Sequence, residues 1–212
     1  MVIAIDGPAG AGKSTVARGA AAALGFTYLD SGAMYRCVAL AARERGLALD
    51  DGEALGALAR GLRIELGDGS VRLDGADVGE RIRRPEVSAA ASEVSVHPQV
   101  REALVAQQRG MIERGRYVAE GRDIGTVVSP EAPLKVYLTA DEQERARRRA
   151  AESGEPLEAV LTAMRDRDGR DRERQHGALR AAEDSVELDT TGLSPEKVVA
   201  RVVALARERG LA

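Results

Sequence analysis

No asparagine occurs among the 212 residues. That absence excludes one function class, because GTP-binding switches read guanine with an Asn-Lys-x-Asp loop that this chain cannot build. Tryptophan is also missing, and Cys37 is the single cysteine, so no intrachain disulfide forms and a cytosolic setting is the economical expectation. No stretch approaches the roughly eighteen apolar residues of a membrane span. The leading run VIAI is too short before Asp6 to be a signal-peptide core. The net charge of −3 supplies no global field that would draw the chain onto nucleic acid or an anionic membrane, so neither is expected as a partner. A polyanion would have to be gripped by a local cluster. Lysine is scarce, three of 31 basic residues. Keeping Lys13 in an arginine-rich chain points to a need for an ammonium there, although codon bias explains the general arginine excess equally well.

What is present reads as globular: 44% hydrophobic and 31% charged residues in a length that suits one substantial domain with small inserted lobes. VIAID (2–6) is an apolar run leading into a glycine-rich turn and a helix over 13–24. Short strands are expected at 26–30, 117–121, 134–140 and 186–190. Helices are expected over about 32–46, 86–114 with an interruption at His97-Pro98, 141–153, 155–174 and 194–209. Strands alternating with helices at both ends of the chain predict an α/β fold, a parallel sheet covered on both faces. The stretch LRIELGDGSVRLDG (62–75) alternates apolar and polar residues around a Gly-containing loop, a β-hairpin pattern. With its neighbouring helices, over roughly 50–110, it interrupts the alternation as an insertion.

GPAGAGKS (7–14) matches G-x-x-x-x-G-K-[ST] in full, between a strand and a helix as that motif requires. Gly7, Gly10 and Gly12 allow successive amides of the loop, which also includes Pro8, Ala9 and Ala11, to face a phosphate. The helix that follows adds the positive end of its dipole. Lys13 can reach the β- and γ-phosphates, and Ser14, next to Thr15, can offer a hydroxyl to Mg²⁺. ATP with Mg²⁺ is therefore the expected nucleotide. The chain shows no extended strand ending in the adjacent acids of a large ATP-driven motor, which leaves a small kinase passing the γ-phosphoryl group to an acceptor.

The acceptor side rests on other stretches. YLDSGAMYR (28–36) places Ser31 at a strand-to-helix turn with Tyr35 and Arg36 one turn on, where Ser31 and Tyr35 either contact the acceptor or cap and pack their helix. EGRDIGT (120–126) brings Arg122 and Asp123 to the carboxyl end of a strand, the edge where ligands of open α/β sheets lie. RDRDGRDRER (165–174) carries Arg167, Asp171 and Arg174 at i, i+4 and i+7, on one helix face. Arg145, Arg148 and Arg149 form a second dense set, and AESGEP (151–156) between the two is a plausible hinge. Together they suggest a lid that closes over phosphates. Asp6 either orients water on Mg²⁺ or, the preferred reading, holds the loop's backbone. His97 and His176 are read as structural or exposed, with no partners at metal-ligand spacing.

IDGPAGAGKST, LDSGAMYR, SEVSVHPQVREAL (92–104), EGRDIGTVV and the arginine run together resemble the bacterial cytidylate kinases, nearly from end to end. The resemblance implies a P-loop NTPase-type sheet in a single 1–212 domain, with an inserted monophosphate-binding lobe over about 32–110 and a helical lid over about 141–176. It implies that Arg36, Arg122 and Arg174 hold the acceptor phosphate and that Asp171 accepts from sugar hydroxyls. Ser92, Arg101 and Asp123 would read cytosine, and Arg167 would stabilise charge on the transferring phosphoryl. A carboxylate suits the exocyclic amino group of cytosine and meets an acceptor in uracil. Lys13, Arg122, Asp123 and Arg167 are thus the expected catalytic set, CMP and dCMP the expected substrates, and a monomer the expected state. Ala178 departs from the family pattern, where a proline often precedes the leucine. A related small kinase for UMP, AMP or a non-nucleotide acid, and an ATP-binding module without turnover, are the alternatives.

Overall fold

The computed structural model describes residues 1–67 and 69–212; Asp68, in the expected hairpin loop, lies outside the described residues. The chain divides into two compact units, residues 1–28 with 112–212 and residues 29–111.

The first unit is built on β1 (Val2–Asp6), β6 (Tyr117–Gly121), β7 (Leu134–Thr139) and β8 (Val186–Asp189), with β2 (Thr27–Asp30) carrying the chain into the second unit. The strand order is β2-β6-β1-β7-β8, and β1 pairs in parallel on both sides, Ile3 with Val118 and with Leu134. A strand flanked and covered on every side has no polar face to offer, which is why VIAID is buried throughout. Helix α1 (Lys13–Leu24) packs an alanine-rich face with Val16, Ala17, Ala20 and Ala21 into the core formed by Ile3, Ile5, Val118, Leu134, Val136 and Leu138. Helix α8 (Pro195–Glu208), opened by Pro195 and the Ser194 cap, adds Val198, Val202 and Leu205. Helices α6 (Glu142–Ser153) and α7 (Leu157–Glu173) pair through Ala146, Val160, Leu161 and Met164. Asp141 caps two amides of α6, and Gly154 ends it in the left-handed conformation.

The second unit opens with α2 (Ser31–Glu44), capped by Asp30, whose carboxylate accepts from the Ala33 amide. Ala33, Met34 and the whole run Cys37–Ala42 are buried, so this helix is enclosed on nearly every side. Helix α3 (Gly52–Gly61) follows, capped by Asp51. The antiparallel hairpin of β3 (Ile64–Leu66) and β4 (Val71–Leu73) gains a short third strand, β5 (Ala76–Asp77). A 3₁₀ turn over Arg81–Arg83 leads to α4 (Pro85–Val94) and α5 (Pro98–Ile112), with the break at His97-Pro98. His97 is structural, its Nε2 lying 2.8 Å from the Leu49 carbonyl oxygen, and His176 is exposed. Cys37 is buried and free, its thiol pushed up to about 12 by burial.

Candidate active site

The phosphate loop runs from the end of β1 into α1. Gly7 has φ 147°, and a Cβ there would lie 2.2 Å from the Leu138 carbonyl oxygen, so only glycine fits. Gly12, at φ 86°, turns the chain into the helix. Lys13 is buried, and its Nζ donates to the Pro8 carbonyl at 2.7 Å, folding the side chain back across the loop. Burial, with repulsion from Arg122 and Arg167, brings its ammonium down to about 7. Such a cation is stabilised when phosphate oxygens arrive. Ser14 and Thr15 are exposed on the first turn of α1.

The loop is braced from outside by residues that the sequence suggested were phosphate clamps. Arg145 Nη1 donates to the Ala9 carbonyl at 2.9 Å and to Asp168 Oδ2 at 2.6 Å, while Asp168 Oδ1 accepts from the Ala9 amide at 3.3 Å. Arg148 donates to the Thr190 hydroxyl and carbonyl, and the Thr190 hydroxyl lies 3.3 Å from the Ala11 carbonyl. Arg149 pairs with Glu152 on the surface. The expected α6 clamp is therefore committed to backbone and neighbouring side chains.

Asp6 holds backbone, but of a different segment from the one expected. Its two carboxylate oxygens accept from the Ile124 amide at 2.9 Å and the Gly125 amide at 2.8 Å. They secure a π-turn over Ile124–Val128 that follows Asp123. Burial lifts Asp6 to about 6 against the lowering pull of those amides. Asp123 is itself buried beside this turn. Glu120, buried on β6, accepts a hydrogen bond from the Tyr28 hydroxyl.

Arg122 and Arg174 converge on Asp171. Arg122 Nε donates to Asp171 Oδ2 at 2.8 Å, and Arg174 Nη2 donates to Asp171 Oδ1. Burial pushes the Asp171 carboxyl up, but Arg122, Arg174 and Arg167 together outweigh it and hold the group below its ordinary range. Arg122, in turn, is raised, because Asp171 overrides its own desolvation. Arg174 stands at the cap just past α7, which ends at Glu173, so the last residue of the expected face leaves the helix yet keeps its i, i+3 partner. Not every residue of the run points inward: Arg165 pairs with Glu142 at the surface.

In the second unit, Arg36 donates to Asp30 at 2.8 Å, so one carboxylate both caps α2 and orients the arginine. Ser31 is buried. Ser92 is buried in α4 with no hydrogen-bond partner for its hydroxyl. Arg101 lies on α5 with its guanidinium 5.7 Å from the Tyr35 ring centroid.

The structure thus gathers Lys13, Arg122, Arg167, Asp171 and Arg174 in one electrostatic neighbourhood of the first unit, and sets Ser31, Arg36, Ser92 and Arg101 in the second. Sequence reasoning missed Asp30, Asp168 and Thr190 as supports. Asp30, at the N-cap of a predicted helix, carried a readable signal. Asp168 carried none beyond its place in a charge run.

A family model for cytidylate kinase matches residues 3–208. The chain belongs to the cytidylate kinase family. Among curated relatives in that family, the cytidylate kinase of Solibacter usitatus is 47% identical, covering 99% of this chain and 93% of the relative. That of Stutzerimonas stutzeri is 46% identical, covering 100% and 97%. A gluconokinase structure from Sinorhizobium meliloti superposes with a TM-score of 0.52 at 18% identity, covering 99% of this chain and 93% of that one, which shows a shared fold. The chain is thus a kinase, a phosphotransferase, by family, on a fold that it shares with the gluconokinase. Among the described residues no helix is long and apolar enough to cross a membrane.

Proposed function

We propose that this member of the cytidylate kinase family transfers the γ-phosphoryl group of ATP to a phosphate oxygen of CMP or dCMP, releasing ADP and CDP or dCDP in the cytoplasm. The observation that carries the reading is the arrangement of cations at the loop: Lys13 is buried and folded onto the Pro8 carbonyl at 2.7 Å, in the field of Arg122, which Asp171 holds at 2.8 Å. Cations held against one another in this way are preorganised for phosphates. Lys13 takes the donor phosphates with the loop amides. Arg36, Arg122 and Arg174 take the acceptor phosphate, and Asp171 holds the last two arginines in register until sugar hydroxyls arrive. Arg167 offsets charge on the moving phosphoryl group. The reaction is then mostly positioning and electrostatics.

Among the described residues, no group of three or more His, Cys, Asp or Glu side chains could hold a metal. Ser14, exposed on the first turn of α1 beside the loop, would supply the one protein oxygen to a Mg²⁺ otherwise carried by substrate phosphates and water. When bound, the ion neutralises charge on the donor phosphates.

Cytosine is read by Asp123, Arg101 and Ser92. The Ser92 hydroxyl, buried and without a partner, supports this assignment, because an unmade hydrogen bond inside a protein is costly unless a ligand completes it. The test is acceptor-dependent ADP release from ATP and Mg²⁺ with CMP, dCMP, UMP and AMP in turn. Turnover with the two cytidine nucleotides is expected; equal turnover with UMP overturns the base-reading role.

A further inference from the structure

We propose that Asp168 and Arg145 are positioning residues for the donor side, fixing the phosphate loop to the helix that carries Arg167. This rests on the donor half of the kinase reading and is indifferent to the acceptor.

Both groups of one loop residue are held. The Ala9 amide goes to Asp168 Oδ1 at 3.3 Å and the Ala9 carbonyl to Arg145 Nη1 at 2.9 Å, and that same nitrogen closes on Asp168 Oδ2 at 2.6 Å. Arg145 Nε, donating to the Ala140 carbonyl at 3.2 Å, fixes the guanidinium to the end of β7. Asp168 and Arg145 are 2% and 5% exposed, so water competes for neither. The packing is close as well: a Cβ at Gly10 would lie 2.9 Å from the Arg145 carbonyl oxygen and 3.1 Å from Met164 Cε.

A buried ion pair seldom adds stability over an apolar pair of the same volume. What this one supplies is geometry. An amide spent on Asp168 is turned away from the nest, so Ala9 does not donate to the nucleotide, and the phosphates are left to the amides from Gly10 onward. Asp168 also adjoins Arg167 on α7, and Asp171 follows one turn later. One carboxylate therefore sets the distance between the loop that holds the donor and the helix whose arginine meets the transferring group. An error of about 1 Å in such a distance costs on the order of a hundredfold in rate.

The experiment uses the full chain with Asp168→Asn, Arg145→Lys and the apolar double variant Asp168→Leu/Arg145→Met. Mg²⁺·ATP affinity is measured by calorimetry without acceptor, kcat and the KM for CMP by ADP release, and stability by thermal melting. Asp168→Asn is expected to weaken ATP binding about tenfold and lower kcat about a hundredfold, with the KM for CMP within about threefold of wild type. Arg145→Lys should fall between. The double variant is expected to regain the melting temperature lost in Asp168→Asn without regaining ATP affinity or kcat. Wild-type ATP affinity in Asp168→Asn overturns the proposal. So does a double variant whose ATP affinity and kcat recover in step with its melting temperature, which would make the pair merely structural. If CMP is not the acceptor, wild-type turnover is absent while the ATP-affinity results stand on their own, so the two failures are distinguishable.

Discussion

Replacing Asp6 by asparagine while varying pH isolates the energetic cost of one buried carboxylate. Asp6 is 5% exposed and faces the Ile124 and Gly125 amides, with the Asp123 carboxylate and the Lys13 ammonium in its field. Its folded-state pKa is lifted from 3.8 to about 6. Because the folded value lies above the unfolded one, the protonated form favours the fold. The contribution is fully present below pH 3.8 and is lost as pH rises through about 6. At ~1.4 kcal/mol for each pH unit, the gap amounts to about 3 kcal/mol, most of it lost between about pH 4 and pH 7. Asparagine keeps the shape, carries no charge, and loses one of the two acceptors, a penalty that does not vary with pH. The assay is urea unfolding of both proteins without ligand across that range. The stability of wild type minus that of Asp6→Asn should fall by about 2–3 kcal/mol from pH 4 to pH 7. A difference that stays flat, or rises with pH, refutes the account of Asp6 as a desolvated carboxylate held by two amides.

Three further outcomes follow from the same geometry. Gly7→Ala forces a side chain at φ 147° into the Leu138 carbonyl, so the backbone strain alone costs about 1–3 kcal/mol; calorimetry should find ATP binding lost. Asp123→Ala removes the acceptor for the cytosine amino group and should reduce the CMP-over-UMP ratio of kcat/KM about a hundredfold or more, with ATP affinity retained. The depressed Lys13 ammonium, at about 7 rather than 10.5, makes the unliganded fold gain stability as pH rises from about 7 toward 10. Lys13→Met should remove that gain in parallel unfolding series.

The sheet and the phosphate loop were legible because their chemistry is local. VIAID, the glycine spacing and Lys13 each follow from what a strand buried on both faces or a phosphate nest demands of its own residues. The hairpin was equally readable from its alternation. Long-range partners were not. Asp168 looks like any acid in RDRDGRDRER, and only the fold brings it to Ala9, 159 residues away in sequence. Asp6 was readable as a backbone anchor, but its partners lie on the Ile124–Val128 π-turn, whose irregular hydrogen bonding leaves no periodic trace. Arg145 and Arg148 show the same limit from the other side: their dense positive charge suggests a clamp on ligand phosphates, but their partners in the fold are the Ala9 carbonyl and Asp168 for Arg145 and Glu144 and Thr190 for Arg148.

The most direct test of the central claim is ADP release from ATP and Mg²⁺ with CMP, dCMP, UMP and AMP supplied singly to the full chain. The account predicts rapid release with CMP and dCMP and slow release with UMP and AMP. Release that is equal with UMP, or that does not depend on any of the four acceptors, contradicts it.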